Sequence, residues 1–583
     1  MGIFTERAAA LSGAFLCSLL IAAPGARQAQ QPPSPPPGGA PTVEAGIPIP
    51  DTTVQAACGA CHKPDEGGVM SRLSFRRNTP EGWEGTIRRM VALNGLKIEP
   101  ATARAVVRYL SNHLGLAPEE VKPAAFETER RIIDFKYEAS RDAERVCTAC
   151  HSMGRVMLQR RSKDDWQMLV DMHRGWYPLS DFQAFRRMGP PQREPGPDGR
   201  PPDNRHPVEK ALEHLRGAYP LHTAEWAAWS ATMRPPKLEG IWTIAGHETG
   251  KGAIYGIARI AQGAAADEVT TEITFTYART GQRVSRTGRA IVYTGHQWRG
   301  RSTEGGNDET SLREVMAVER DWQSMSGRWF TGGYDERGLD VTLRRASGQP
   351  SIVGTSRTAF RAGTSGQEVR LFGSNLPATL TAKDVDFGPG VTVASVSAAS
   401  PHVLTVTLDV APGAAIGPRD LVIGAALGTV VMPAAVVVYD TVDYIKVSPE
   451  WAMARTGGVS LPKGFAFFEA RAFHNGRDGR PSTKDDIALG LVDAAWTLEE
   501  YSAVLNDEDV KYVGTIDPAT GVFTPNVEGP NPGRPGHANN IGDVWVVASC
   551  TPDGAKRPLR ARAHLLVTVP LYMRWGTEAQ TLQ

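Results

Sequence analysis

The chain has almost no net charge, few cysteines and little that resembles a hydrolytic or nucleotide site. Its 64 Lys and Arg residues are matched by 63 Asp and Glu over 583 positions, a formal charge of +1. No one-signed field is therefore available to draw in nucleic acid or an acidic membrane. Beyond the amino-terminal segment no apolar run reaches the roughly 20 residues a spanning helix needs, which predicts no membrane insertion once that segment is removed. There is no nucleotide loop, no zinc spacing and no Ser/His/Asp arrangement. Asp335, Glu336, Asp340, Asp485 and Asp486 read as solvated turn acids. The chain is too long for one core, so several domains are expected.

Of six cysteines, Cys17 lies in the amino-terminal apolar run and Cys550 stands alone in DVWVVASC, where it reads as a buried thiol. No even set remains for a disulfide framework. The other four spell one word twice: CGACH at Cys58–His62 and CTACH at Cys147–His151. C-x-x-C-H is the attachment motif of c-type haem. Cys58 and Cys61, and likewise Cys147 and Cys150, would form thioethers to the porphyrin edge, with His62 and His151 as proximal iron ligands. A redox dithiol requires neither the following histidine nor a second copy, and a zinc site would have to join two distant words.

Residues 1–29 have Arg7, an apolar run from Ala8 to about Ala23, and small residues at Gly25, Ala26 and Ala29. This reads as a secretory signal peptide, followed by a Pro-rich linker over 30–48. Export together with haem attachment points to the periplasm.

The two haem words are followed by matching text. Arg76-Arg77, Trp83 and Met90 follow the first; Arg160-Arg161, Trp166 and His173 follow the second. In both, tryptophan and the last residue are seven apart, close to two helical turns, and so share a helix face. Acidic opening turns (Asn78 or Thr79 with Glu81; Ser162 with Asp164 and Asp165) mark both helix starts. The register nominates Met90 as the sixth ligand of haem one and His173 as that of haem two. Met70, Met153, Met157, Met188, His113, His206, His214 and His222 compete. The Arg pairs could hold haem propionates or lie on a solvated face. Ala101–Gly115 and Thr223–Met233, the latter with Trp226 and Trp229, read as the closing helices of two repeats over 49–122 and 123–236. Two irons ligated on both faces favour electron relay over catalysis at haem.

After about Pro235 the helical period gives way to alternation. VTTEITFTY puts Val269, Thr271, Ile273, Phe275 and Tyr277 on one face, and SLREVMAVE and LDVTLRRA alternate likewise. Residues 237–347 are expected to form an antiparallel β-barrel. VRLFGSNLP, DVDFGPGVTV, LTVTLDV and GPRDLVI, within 348–438, resemble the IPT/TIG class of immunoglobulin-like domains. Residues 439–583 end in GTIDPATGVFTP, NIGDVWVVASC and LRARAHLLVTVP and read as a second immunoglobulin-like sandwich. The expected fold is multidomain: an α-helical dihaem cytochrome c domain at 49–236 followed by three all-β domains.

This layout, with CGACH, CTACH and the Trp83/Met90 and Trp166/His173 registers, resembles the α subunit of quinohemoprotein amine dehydrogenase. The resemblance implies a heterotrimer. A small subunit bearing cysteine tryptophylquinone would do the amine chemistry, and a β-propeller subunit would complete the site. This chain would pass electrons through two covalent haem c groups to a soluble blue copper protein or cytochrome c, in the oxidative deamination of a primary amine. Rival readings are the electron-transfer subunit of another periplasmic dehydrogenase, a dihaem peroxidase-like enzyme, and a surface-binding protein.

Overall fold

The computed structural model describes residues 44–125, 137–187, 189–195, 199–331, 337–425, 428–458, 462–502 and 507–570. The signal segment with Cys17, and Met188, Asp335 and Glu336, lie outside these residues.

The amino-terminal part is helical and built twice. In the first lobe α1 (Thr52–Cys58) is capped by Asp51, whose carboxylate accepts from the Val54 amide at 2.8 Å. Strand β1 (Arg76–Asn78) leads into α2 (Pro80–Asn94), which starts on the Thr79 cap with Pro80 in its first turn. It stops at Gly95, whose φ of 71° closes the helix in the left-handed region. Helix α3 (Pro100–His113) closes the lobe. The second lobe repeats this with α4 (Arg141–Cys147), β2 (Gln159–Arg161), α5 (Lys163–Trp176) and α6 (Pro207–Ala218).

The lobes are joined by an antiparallel ribbon in which Arg76 faces Arg161, Arg77 faces Arg160 and Asn78 faces Gln159. Local two-fold symmetry runs through the Arg77/Arg160 pair. Trp83 and Trp166 are both wholly buried. The Trp83 indole donates to the Leu114 carbonyl at 3.0 Å, and the Trp166 indole to the Tyr219 carbonyl at 3.0 Å. Those same carbonyls accept from the Asn78 and Arg161 amides. Two details of the sequence reading change. The arginine doublets are offset by one: Arg77, not Arg76, is the counterpart of Arg160. The closing helix of the second lobe is α6, whose Val208, Ala211, Leu212 and Leu215 enter the lobe core; Thr223–Met233 does something else.

That later segment forms α7 (Ala224–Thr232), whose Trp226 lies beneath the Arg77 guanidinium at 5.1 Å while Trp229 faces the barrel. Trp229 donates to the Thr294 carbonyl at 2.9 Å and lies edge-on to His296. The barrel is closed, with eight strands running from β3 (Gly240–Glu248) to β10 (Gly338–Arg345), and β10 pairs back onto β3. Trp242, Phe275, Trp298 and Trp329 fill it, together with Val269, Ile273 and Tyr277 from the alternating run. Asp340 lies on β10, not in a turn, and its carboxylate is 2.7 Å from Arg328. The Thr294-Gly295 turn seats the barrel on the helical lobes. A Cβ at Gly295 would come 2.8 Å from the Arg234 carbonyl oxygen, and its φ is 68°, so both space and backbone require glycine. Asn112 accepts from the Thr294 amide at 2.7 Å, and Glu81 pairs with Arg299.

His296, 1% exposed, donates from Nε2 to the Leu116 carbonyl at 3.0 Å. Burial pushes its pKa from 6.5 down to about 4. The unfolded chain thus takes up a proton that the folded one refuses, so this contribution to stability is intact above pH 6.5 and is lost as pH falls toward 4. The full loss is about 3 kcal/mol. Urea unfolding from pH 7 to pH 4 is expected to fall more steeply for the natural protein than for His296→Gln. Parallel curves would rule this out.

Beyond the barrel, two four-stranded sheets between Ser351 and Tyr439 enclose one core containing Phe360, Phe387 and Leu404. One four-stranded and two three-stranded sheets from Tyr444 to Thr568 enclose another, with Phe468, Trp496 and Phe523. Tyr255 of the barrel stacks on Phe372 of the sandwich at 5.1 Å. Cys550 is half-buried at its strand end, not inside the core as expected.

Candidate haem centres

Both C-x-x-C-H words sit where a helix ends, α1 at Cys58 and α4 at Cys147. The His62 amide donates to the Cys58 carbonyl at 2.9 Å, bringing the imidazole back beside the thiols. His62 Nδ1 bonds the Ser71 carbonyl at 2.9 Å, and His151 Nδ1 bonds that of Ser152 at 2.9 Å. Because a carbonyl only accepts, both rings carry their proton on Nδ1 and the lone pair on Nε2, the form that ligates iron.

In the second lobe Cys147, Cys150, His151 and His173 line one cavity, with Tyr177 and Phe185 at its side. His173 Nδ1 bonds the Leu169 carbonyl one turn back at 2.7 Å, which again leaves the lone pair on Nε2. Burial lowers the pKa of both imidazoles, that of His151 to about 4, and the two rings are close enough to act on each other. Two neutral imidazoles and two thiols on one apolar cavity fit a bis-histidine haem c. Burial pushes the Cys147 thiol up to about 12 and raises Cys58 and Cys150. A nucleophilic or redox dithiol needs the opposite shift. Among the described residues no disulfide forms, and no three His, Cys, Asp or Glu side chains are grouped to hold a metal ion.

In the first lobe Cys58 is in the core with Met70, Trp83 and Ile87. Met90 is half-buried, and with Trp83 and Ile87 it follows the spacing of Trp166, Val170 and His173. Met70 is wholly buried. It immediately precedes Ser71, whose carbonyl holds His62 Nδ1, so its backbone lies behind the proximal ring. Met153 is buried in the second-lobe core and Met157 lies at its margin.

The other histidines are engaged elsewhere. His113 stacks on Tyr109, His206 caps α6, His214 bonds the Tyr137 hydroxyl at 2.8 Å and His222 bonds the Ala45 carbonyl at 2.7 Å. Asp485 and Asp486 cap backbone amides within their own loop.

The arginine doublets are not a solvated face. Arg77 is 0% exposed and grips Glu120 with two nitrogens, at 2.8 and 2.9 Å. Arg160 reaches the same carboxylate at 3.0 Å, and Thr223 donates to it at 2.9 Å. Burial alone would raise the Glu120 pKa, but the hydrogen bonds and charge of Arg77 and the charge of Arg160 hold it below the ordinary carboxylate value. Sequence reasoning missed Glu120 and Arg89.

Family models match the chain in order. One described as the haem-binding part of the alpha subunit of quinohemoprotein amine dehydrogenase A matches residues 49–189. Those for alpha subunit domains II, III and IV of quinohemoprotein amine dehydrogenase match 235–346, 349–440 and 445–579. No curated protein matches. Among solved structures, a redesigned beta barrel is 14% identical over 19% of this chain and 92% of its own, with a TM-score of 0.17. The Bacteroides ovatus mixed-linkage glucan utilization locus protein SGBP-B is 10% identical over 56% of this chain and 60% of its own, with a TM-score of 0.18.

Proposed function

This chain belongs to the quinohemoprotein amine dehydrogenase alpha-subunit family, and from that premise we propose that it is the electron-relay subunit of a periplasmic enzyme that oxidatively deaminates primary amines to aldehyde and ammonia. A signal peptide over 1–29 would deliver it to the periplasm. The amine chemistry belongs to a small partner carrying cysteine tryptophylquinone, with a β-propeller subunit completing a heterotrimer. A blue copper protein or cytochrome c takes the electrons away. The observation that carries the reading is the second-lobe cavity, where Cys147, Cys150, His151 and His173 come together.

Cys58 and Cys61 would hold one haem c, and Cys147 and Cys150 the other. His62 with Met90, and His151 with His173, would hold the two irons. When bound, each haem supplies a one-electron iron couple. Such unequal ligation would set the Met90 site at the higher potential and direct electrons toward it. The local two-fold supports Met90, since it occupies the register of His173. Met90→Ala is expected to abolish the methionine–iron charge-transfer band, whereas Met70→Ala leaves that band and costs stability; the reverse result would move the ligand to Met70. The two β-sandwiches are read as immunoglobulin-like scaffold and docking surface.

Native purification tests the whole reading. The chain is expected to co-purify with a small subunit that stains for quinone, with haem on this chain alone. A lone chain, or carbon monoxide binding to the reduced protein at neutral pH, would favour the other-dehydrogenase or peroxidase-like readings.

A further inference from the structure

We propose that Arg72, Arg76, Arg89 and Arg161 form one anion cradle on the seam between the lobes, receiving propionate carboxylates from both haems and coupling the two sites electrostatically. The inference rests on the two-haem reading above.

At the centre of the ribbon one acid, Glu120, serves two guanidiniums, Arg77 and Arg160. The flanks carry a larger excess of cations. Arg76 and Arg161 stand opposite each other as strand partners. Each guanidinium lies over the tryptophan of its own lobe, at 5.0 Å for Arg76 on Trp83 and 5.7 Å for Arg161 on Trp166. Arg161 pairs with Asp165, and Arg72 is 3.5 Å from the same carboxylate. Arg89 comes from α2 of the first lobe yet lines the second-lobe cavity, with a 3.1 Å contact to Thr86.

Of these four cations, Arg161 and Arg72 pair with one acid, Asp165, and Arg76 lies within its field. Arg76 Nε is buried without a hydrogen-bond partner. Burying like charges and an orphaned donor is costly unless an anion completes the site. Each haem brings two carboxylates, and the cradle faces both centres. Arg72 and Arg76 act on the His62 ring, Arg89 and Arg161 on the His173 ring, and Arg76 is within the field of the other three. Planar guanidinium forks suit bidentate carboxylate binding.

A cation near haem favours the reduced iron, so removing one from a shared cradle lowers both midpoints. Potentiometric titration of the purified holoprotein, with each haem resolved by its spectrum, is expected to show both midpoints lowered in Arg76→Gln and largely restored in Arg76→Lys. Arg88→Gln, on the same helix as Arg89 but paired with Glu84, is expected to move neither. A shift at one haem only, or at none, overturns the shared cradle. If Arg76→Gln fails to fold, Arg89→Gln decides on the same terms: a joint shift supports the cradle, and a shift confined to the second haem overturns it. Fewer than two haems per chain in the natural protein would instead refute the reading beneath it.

Discussion

Alanine at His173 is expected to turn one of the two low-spin haems high-spin while leaving both covalently attached. The thioethers at Cys147 and Cys150 would keep the group in place, and His151 would keep its bond on the proximal side. The face toward α5 would lose its strong-field ligand. The substitution empties a position in a cavity lined by Leu169, Val170 and Phe185, and alanine is a good helix former, so α5 should persist. Absorption and electron paramagnetic resonance spectra of the oxidised protein check this. Half of the low-spin signal is expected to vanish, and added imidazole to restore it. Transfer between the haems is expected to stall, because loss of one ligand displaces the potential and raises the reorganisation of that site. An unchanged spectrum would place the ligand elsewhere.

Glu120→Ala is expected to destabilise the haem lobes by about 3–5 kcal/mol, the cost of breaking a buried charge pair by removing one partner. Glu120 is 6% exposed, Arg77 0% and Arg160 6%, so two guanidiniums would be stranded without their acid. The Ala117 amide and the Thr223 hydroxyl, which bond the same carboxylate at 2.9 Å each, would lose a partner as well. Urea unfolding followed at the haem band measures the loss. The triple variant Glu120→Leu, Arg77→Met and Arg160→Met is expected to recover much of it, because no charge remains buried. A loss under 1 kcal/mol in Glu120→Ala would mean that water enters the seam.

The parts that could be read from sequence are those whose chemistry is local. A C-x-x-C-H word brings thiols and imidazole close along the chain, and the structure turns His62 back onto the Cys58 carbonyl. Seven residues from Trp166 to His173 define a helix face, and the structure puts both on the same cavity. Alternation in VTTEITFTY gave the barrel interior because a strand has period two. What failed depended on distant partners. An antiparallel ribbon pairs residues in opposite directions, so lining up Arg76-Arg77 with Arg160-Arg161 in the same direction hid the offset of one. The tryptophans of α7 read as lobe core, but Trp229 packs on the barrel turn and Trp226 lies beneath Arg77 beside Ala117. The true closing helix carried a usable signal, Val208, Ala211, Leu212 and Leu215 at i, i+3, i+4 and i+7 behind a Pro207 start. Glu120 lies 43 positions from Arg77, and no local pattern links them.

The ribbon centred on Arg77 and Arg160 has a dynamic consequence. Strand pairing and a common carboxylate span the two lobes, so on the proposed two-haem relay the gap an electron crosses would be a fixed length rather than the outcome of a swinging motion. Glycerol or sucrose, which slow large-scale rearrangements by thickening the medium, would then leave the internal hop at its ordinary speed and retard only the encounter with the outgoing carrier.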